Sequence, residues 1–229
     1  AHAYVLTGVR GVGKTTTARL IAMSINCNLR EKKTCEPCGE CDSCKSTGVD
    51  SNLDVIEMDA ASNTGVDDVR EIIDNVKYKP IIGRYKVFII DEVHMLSKSA
   101  FNALLKTLEE PPDHVKFIFA TTEVKKIPIT VLSRCQRFDL LRIENKSLTN
   151  YIINIVKKEN IDIATDAISL IVRASDGSIR DALSLLDQAT TNQNMKIDSK
   201  AISQMLGLAE REKIFDLLEK VLKGQSEEA

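Results

Sequence analysis

The sequence has no tryptophan, 4% aromatic residues, 5 prolines and 3 histidines in 229 positions. Its interior must therefore be built from Ile, Leu, Val and Ala, which a 43% apolar content can supply. It has no excess of either charge: 31 basic residues stand against 33 acidic ones, a formal net charge of −2. A global positive field is thus excluded, and any contact with nucleic acid must rest on local patches or helix N-termini. No apolar run approaches the ~20 residues of a membrane span, and no signal peptide is visible, which reads as a cytosolic chain without a membrane anchor. Ala1 stands where an initiator Met would, so the natural N-terminus is expected upstream. Six cysteines are present, but five of them crowd between Cys27 and Cys44. Without signs of secretion, that spacing reads as a metal site rather than as disulfides. Cys135 stands apart and reads as a small buried residue.

What the chain does have is alternation. Ala3–Thr7, Leu53–Met58, Tyr85–Ile90, Val115–Ala120 and Arg137–Leu140 are short apolar runs of strand type. Between them lie helical spacings: Ala18, Ile21, Ala22 and Ile25; then Val69, Ile72, Ile73 and Val76; then Phe101, Leu104, Leu105 and Leu108, halted by Pro111-Pro112. Strands alternating with helices predict an α/β fold with a parallel sheet flanked by helices. Residues 27–48 break the order as a Cys-rich insert. After residue 143 the strands stop and only helical patterns follow, which predicts a first domain over 1–143 and a small all-helical one over 144–208. The stretch Glu210–Leu222 reads as one more helix, the start of a further unit over 209–229.

Two motifs carry chemistry. Gly8-Val9-Arg10-Gly11-Val12-Gly13-Lys14-Thr15 fits G-x-x-x-x-G-K-[ST], a loop whose backbone N–H groups cradle phosphates. Glycine lets the backbone approach phosphate more closely than a Cβ permits, and the helix that follows adds its N-terminal dipole. Lys14 would reach the β- and γ-phosphates, the Thr15 hydroxyl would ligate Mg²⁺, and Thr16 would extend the polar rim. A Gly-rich turn that binds nothing is the plain alternative, but it leaves Lys-Thr without a packing purpose. Asp91-Glu92, at the end of the third apolar run, would supply a magnesium-shell carboxylate and a group to polarise the attacking water. Solvated carboxylates capping the next helix are the alternative there. Together the motifs read as a nucleoside triphosphatase using ATP and Mg²⁺.

The cysteine insert offers Cys38-x2-Cys41-x2-Cys44, with Cys27 or Cys35 as a fourth ligand. Four thiolates without an open position point to a structural Zn²⁺; an Fe–S cluster is the alternative for closely spaced thiolates.

Asp91-Glu92-Val93-His94-Met95-Leu96-Ser97, Phe101 to Pro112 and Ser133-Arg134-Cys135 together resemble the AAA+ clamp-loader ATPases. The cysteine insert makes the γ/τ branch of bacterial DNA polymerase III the nearest likeness, from Ala3 to about Leu208. The resemblance implies an ATPase motor subunit that uses ATP to load a ring-shaped sliding clamp onto primed DNA. It also implies partners: delta and delta prime subunits, further gamma/tau copies, the clamp and DNA, in a hetero-pentamer. Carried over by position, Arg134 is similar to the arginine finger that acts on a neighbour's ATP, Thr122 to sensor 1, and Arg180 to sensor 2 in the helical lid. In that family a Cys at the end of the P-loop helix joins the trio, which points to Cys27. The stretch over 209–229 would be the start of a collar. Lys98 and Arg70 sit where such subunits face DNA, with a solvated helix face as the alternative. A catalytically silent, metal-binding scaffold subunit of the same complex is the rival reading.

Overall fold

The computed structural model describes residues 1–29, 35–48, 51–191, 197–207 and 221. It divides into two compact units, Ala1–Leu141 and Arg142–Ala229. The first unit runs β1 (Ala3–Thr7), α1 (Lys14–Asn26), α2 (Asp42–Gly48), β2 (Val55–Asp59), α3 (Val66–Val76), β3 (Lys86–Asp91), α4 (Lys98–Glu109), β4 (Val115–Thr121), α5 (Ile129–Leu132) and β5 (Gln136–Asp139).

All pairings are parallel, and the strands lie in the order β2-β3-β4-β1-β5. β4 therefore separates β1, which feeds the glycine loop, from β3, which ends in Asp91. Because side chains alternate across a strand, β3 supplies both faces of the core. Phe88 and Ile90 join Val69, Ile72 and Leu104 on the side of α3 and α4. Val87 and Ile89 join Ala18 and Ala22 of α1 on the other. Phe88, Phe117 and Phe119 form a stacked row, with centroids 5.4 and 5.9 Å apart. Parallel strands buried on both faces read as continuous apolar runs, which is how β3 and β4 are written.

Local chemistry sets the element ends. The Asp68 carboxylate accepts the Gly65 N–H at 3.0 Å ahead of α3, and Ser97 Oγ accepts the Ala100 N–H at 3.2 Å to cap α4. α4 ends at Glu109, just before Pro111-Pro112. Two readings of the sequence need correction. The second strand starts at Val55, not Leu53, because Asn52 and Asp54 form an anchored turn: Asn52 Oδ1 accepts the Asp54 N–H at 2.8 Å. The fully buried Asp54 carboxylate takes the N–H groups of Ile81, Ile82 and Gly83 at 2.6–2.7 Å. Within the cysteine insert, where the sequence reads as broken order, Asp42–Gly48 is a helix.

The second unit contains α6 (Asn145–Lys158), α7 (Thr165–Ala174), α8 (Ile179–Thr191) and α9 (Ser199–Met205). Leu148, Ile152, Ile168, Ile171, Val172, Leu186 and Ile202 close its own core. One isolated parallel bridge, Ile163 to Ile197, joins two of its connecting segments. The helix read over Glu210–Leu222 and the 209–229 unit lie outside the described residues, apart from Val221. Among the described residues no helix is long and apolar enough to cross a membrane.

Candidate functional site: a phosphate loop facing two carboxylates

In a parallel sheet the strand ends that follow β1, β3 and β4 open on one edge, and this is where the motif residues gather. After Thr7 the chain turns through Gly8 to Gly13. A Cβ on Gly8 would stand 2.7 Å from the Leu140 carbonyl oxygen, so the backbone there admits no side chain. Gly11 and Gly13 hold φ of 75° and 100°, the left-handed region that glycine enters without strain. Gly13 caps α1, and its carbonyl accepts from the Thr17 N–H and hydroxyl, both at 2.8 Å. The first N–H groups of α1 have no intrahelical acceptor, as at every helix start, and they lie beside the glycine loop. Arg10 and Thr16 are exposed on its rim, with Val9 and Val12 in the loop between.

Lys14 is 5% exposed, and its Nζ donates to the Gly8 and Val9 carbonyls at 3.1 Å each. It lies 4.0 Å from Glu92 Oε1. The Thr15 hydroxyl donates to Asp91 Oδ2 at 2.5 Å, while Asp91 Oδ1 accepts the Glu92 N–H at 2.8 Å. Glu92 has a left-handed backbone, φ 46°. Its Oε2 accepts from the Thr122 N–H at 3.1 Å and the Thr122 hydroxyl at 3.0 Å. Thus Lys14, Thr15, Asp91, Glu92 and Thr122, 108 positions apart at the extremes of the sequence, form one connected group. A hydroxyl and a carboxylate side by side are hard oxygen donors of the kind Mg²⁺ takes.

One further residue borders this group and is given no task by the sequence motifs. His94 lies in the 3₁₀ turn Val93–Met95 directly after β3, and its side chain is 6% exposed. Its Nδ1 is 3.3 Å from Glu92 Oε2 and 3.0 Å from the hydroxyl of the fully buried Thr121. The signal available in the sequence was a histidine two positions after the acidic pair.

Arg134 is not part of this group. The Arg134 guanidinium is held within its own unit, donating to Glu109 Oε1 at 2.6 Å and to the Thr130 carbonyl at 2.5 Å. Arg180 is exposed in the first turn of α8, in the second unit. Arg70 pairs with Asp67 at 2.7 Å, both well exposed, and Lys98 is exposed at the start of α4.

The insert makes a second cluster. The sulfurs of Cys27, Cys38, Cys41 and Cys44 all lie within 4.8 Å of one another, with Cys38 and Cys44 4.0 Å apart. Thiolates placed tetrahedrally at about 2.3 Å from zinc stand roughly 3.8 Å apart, so the donor set fits such an ion. Cys35 is exposed and outside the group. Backbone N–H groups turn toward the sulfurs: Cys38 N–H to Cys27 at 3.4 Å, and Glu40 and Cys41 N–H to Cys38 at 3.4 and 3.3 Å. The Cys38 N–H holds the Cys27 thiol below its ordinary range. Burial pushes Cys44 up to about 12, and the neighbouring sulfurs add to that rise. Burial also opposes ionisation of Cys41, but hydrogen bonds from the Asn28 and Cys44 backbone outweigh it and bring the thiol to about 6. Four sulfurs this close cannot all be thiolates without a cation among them. Cys135 is half-buried elsewhere, and desolvation raises its thiol to about 11, which keeps it protonated and inert near neutrality.

A phosphate loop on β1, an acidic pair ending β3 and a separate helical unit define the class: this is an AAA+ P-loop nucleoside triphosphatase fold. Comparison with known proteins narrows it. The family model described as DNA polymerase III, delta subunit matches residues 1–145. The model for the DNA polymerase III clamp loader subunit, ATPase lid domain, matches residues 147–203. The chain belongs to the DNA polymerase III clamp-loader family. It is 47% identical over 226 residues to the DNA polymerase III subunit tau/gamma of Haemophilus influenzae, covering 99% of this chain and 33% of that protein. It is 53% identical over 189 residues to the DNA polymerase III subunit tau of Bacillus subtilis, covering 82% of this chain and 33% of that protein. The chain thus spans about a third of the length of these curated relatives. The solved RuvB Holliday junction branch migration motor of Thermotoga maritima shares the fold, with a TM-score of 0.58 at 20% identity, over 90% of this chain and 61% of that one.

Proposed function

We propose that this chain is the ATP-hydrolysing core of a clamp-loader motor subunit, whose cycle places a ring-shaped sliding clamp on primed DNA. The observation that supports it is the meeting of Lys14, the Thr15–Asp91 pair and the Thr122–Glu92 pair at one edge of the sheet. In this reading the loop N–H groups from Gly8 to Thr16 hold the phosphates, and Lys14 exchanges its two carbonyl acceptors for phosphate oxygens. Thr15 and Asp91 would hold Mg²⁺, which would supply positive charge beside the β- and γ-phosphates. Glu92 takes a proton from the attacking water, whose oxygen bonds to the γ-phosphorus as the bond to the bridging oxygen breaks, that oxygen and its electron pair leaving with ADP. Thr122 holds Glu92 in register and senses the γ-phosphate.

Arg134 acts on the ATP of a neighbouring subunit, giving up Glu109 to do so. A planar, permanently charged guanidinium suits the gathering negative charge there. Arg180 is the lid's sensor of nucleotide, with residues 144–208 as the lid and 209–229 as the start of a collar. Cys27, Cys38, Cys41 and Cys44 hold a structural Zn²⁺. The partners are delta, delta prime and further gamma/tau subunits, the clamp and primed DNA, in a cytoplasmic hetero-pentamer.

Turnover of the full-length subunit decides the matter, measured alone and then with partner subunits, clamp and primer-template. Slow turnover alone, strong stimulation in the assembly, and loss of that stimulation with Arg134→Ala are expected. No turnover even in the full assembly would instead make the chain a catalytically silent, metal-binding scaffold.

A further inference from the structure

We propose that His94 is a positioning residue for Glu92, its imidazole facing Oε2, the carboxylate oxygen that Thr122 also holds, while Oε1 faces Lys14. The proposal deepens the reading above and rests on Glu92 being the water-activating group. A carboxylate that must meet one water molecule has three side-chain torsions to lose, and a displacement of about 1 Å is enough to cost on the order of a hundredfold in rate. Something has to remove that freedom. The Glu92 backbone adds to the need, since a non-glycine residue at φ 46° persists only where its surroundings hold it.

Three groups converge on Glu92 Oε2: the Thr122 N–H, the Thr122 hydroxyl, and His94 Nδ1 at 3.3 Å. His94 is itself fixed from the other strand. The same Nδ1 is 3.0 Å from Thr121 Oγ1, and that oxygen accepts the Glu123 N–H at 3.0 Å. Its Nε2 lies 3.5 Å from Glu123 Oε1. The ring thus spans the gap between the ends of β3 and β4, with both nitrogens facing oxygen and only 6% of the side chain exposed. An apolar residue of the same size would fill that space equally well but would leave Glu92 and Thr121 without their shared neighbour. Among the described residues the ring is hydrogen-bonded to Thr121 and faces Glu92 and Glu123 at ion-pair distance, so the placement reads as polar contact rather than filling.

The test compares steady-state kcat, KM and nucleotide affinity in full-length protein carrying His94→Phe, His94→Asn or Glu92→Gln. Asn places an amide near the position of Nδ1, whereas Phe keeps the volume alone. The expected result is a fall in kcat of roughly ten- to a hundredfold for His94→Phe, with KM and nucleotide affinity little changed and partial recovery in His94→Asn. Should His94→Phe fail to fold, Thr121→Val removes the hydroxyl on the other side of Nδ1 and is expected to lower kcat several-fold at unchanged KM. Wild-type kcat in His94→Phe or Thr121→Val, or equal loss in His94→Phe and His94→Asn, overturns the proposal. If Glu92→Gln itself turns over like the wild type, the role given to Glu92 fails first, and that outcome is separate from failure of the His94 proposal.

Discussion

The phosphate edge and the cysteine cluster sit in the same unit, yet they are assembled by different means. At the phosphate edge the side chains are delivered by β1, β3 and β4, whose residues Val5, Leu6, Phe88, Ile89, Phe117 and Ile118 are essentially without solvent exposure. The loop, Lys14 and the acidic pair satisfy one another through protein hydrogen bonds. The cysteine cluster has no such foundation. It hangs between the C-cap of α1 at Cys27 and the short helix α2. What fixes α2 is polar: Asn52 Nδ2 bridges the Ser43 carbonyl and the Ser46 and Thr47 hydroxyls at 2.9–3.2 Å. Among the described residues the buried Ser43 Oγ has no hydrogen-bond partner. The difference teaches that the first site is organised by the core, whereas the second brings together four sulfurs whose spacing fits a metal ion.

The largest expected effect breaks that comparison on the metal side. Structural zinc binds with about 10–16 kcal/mol of free energy in small domains. Stripping the metal with a chelator, or replacing Cys41 with Ser, is expected to abolish hydrogen-exchange protection in α2 and to leave that of β3 and β4 intact. Equal loss in both regions would mean the two sites share one foundation. The converse experiment strikes the core. Phe117→Ala, in the middle of the aromatic row, is expected to lower stability by about 3–5 kcal/mol in a denaturant titration, at unchanged metal content of the folded protein.

A smaller effect isolates the loop. Gly13→Ala meets no atom within 4 Å, so its effect is conformational alone. About 1–2 kcal/mol of strain is expected at φ 100°, seen as a lower melting temperature together with weaker nucleotide binding. The smallest effect concerns charge. The Thr7 hydroxyl, and then Arg137, hold Asp139 below its ordinary carboxylate range, tying β5 to β1. A lowered folded-state value contributes stability above the ordinary pKa of 3.8, which is lost as pH falls through the folded value. Asp139→Asn is therefore expected to narrow the gap in melting temperature between neutral pH and pH near 3, and only slightly, because the pair is exposed.

The phosphate loop and the acidic pair were legible because their chemistry demands fixed residue types at fixed spacing. α3 was legible in its apolar positions, which repeat at helical spacing, whereas the Asp68 contact at its start is set by the fold. What could not be read were features set by distant partners. The insertion of β4 between β1 and β3 depends on tertiary pairing. The start of β2 was hidden because Asp54 serves residues 27 to 29 positions away. Spacing alone left Cys27 and Cys35 as equal candidates; the family resemblance pointed to Cys27, and the fold places Cys27 with the trio. His94 was quoted within a motif, but its contact with Thr121 spans 27 positions, and no local pattern reveals it.

The central claim is that Mg·ATP binds between the glycine loop and the Asp91-Glu92 pair. It is tested most directly by calorimetric titration of a non-hydrolysable ATP analogue into wild-type protein, Lys14→Ala and Asp91→Ala, each with and without Mg²⁺. The account predicts one site in the wild type that tightens with Mg²⁺, loss of that site in Lys14→Ala, and loss of the Mg²⁺ effect in Asp91→Ala. Identical, Mg²⁺-independent binding in all three proteins would contradict it.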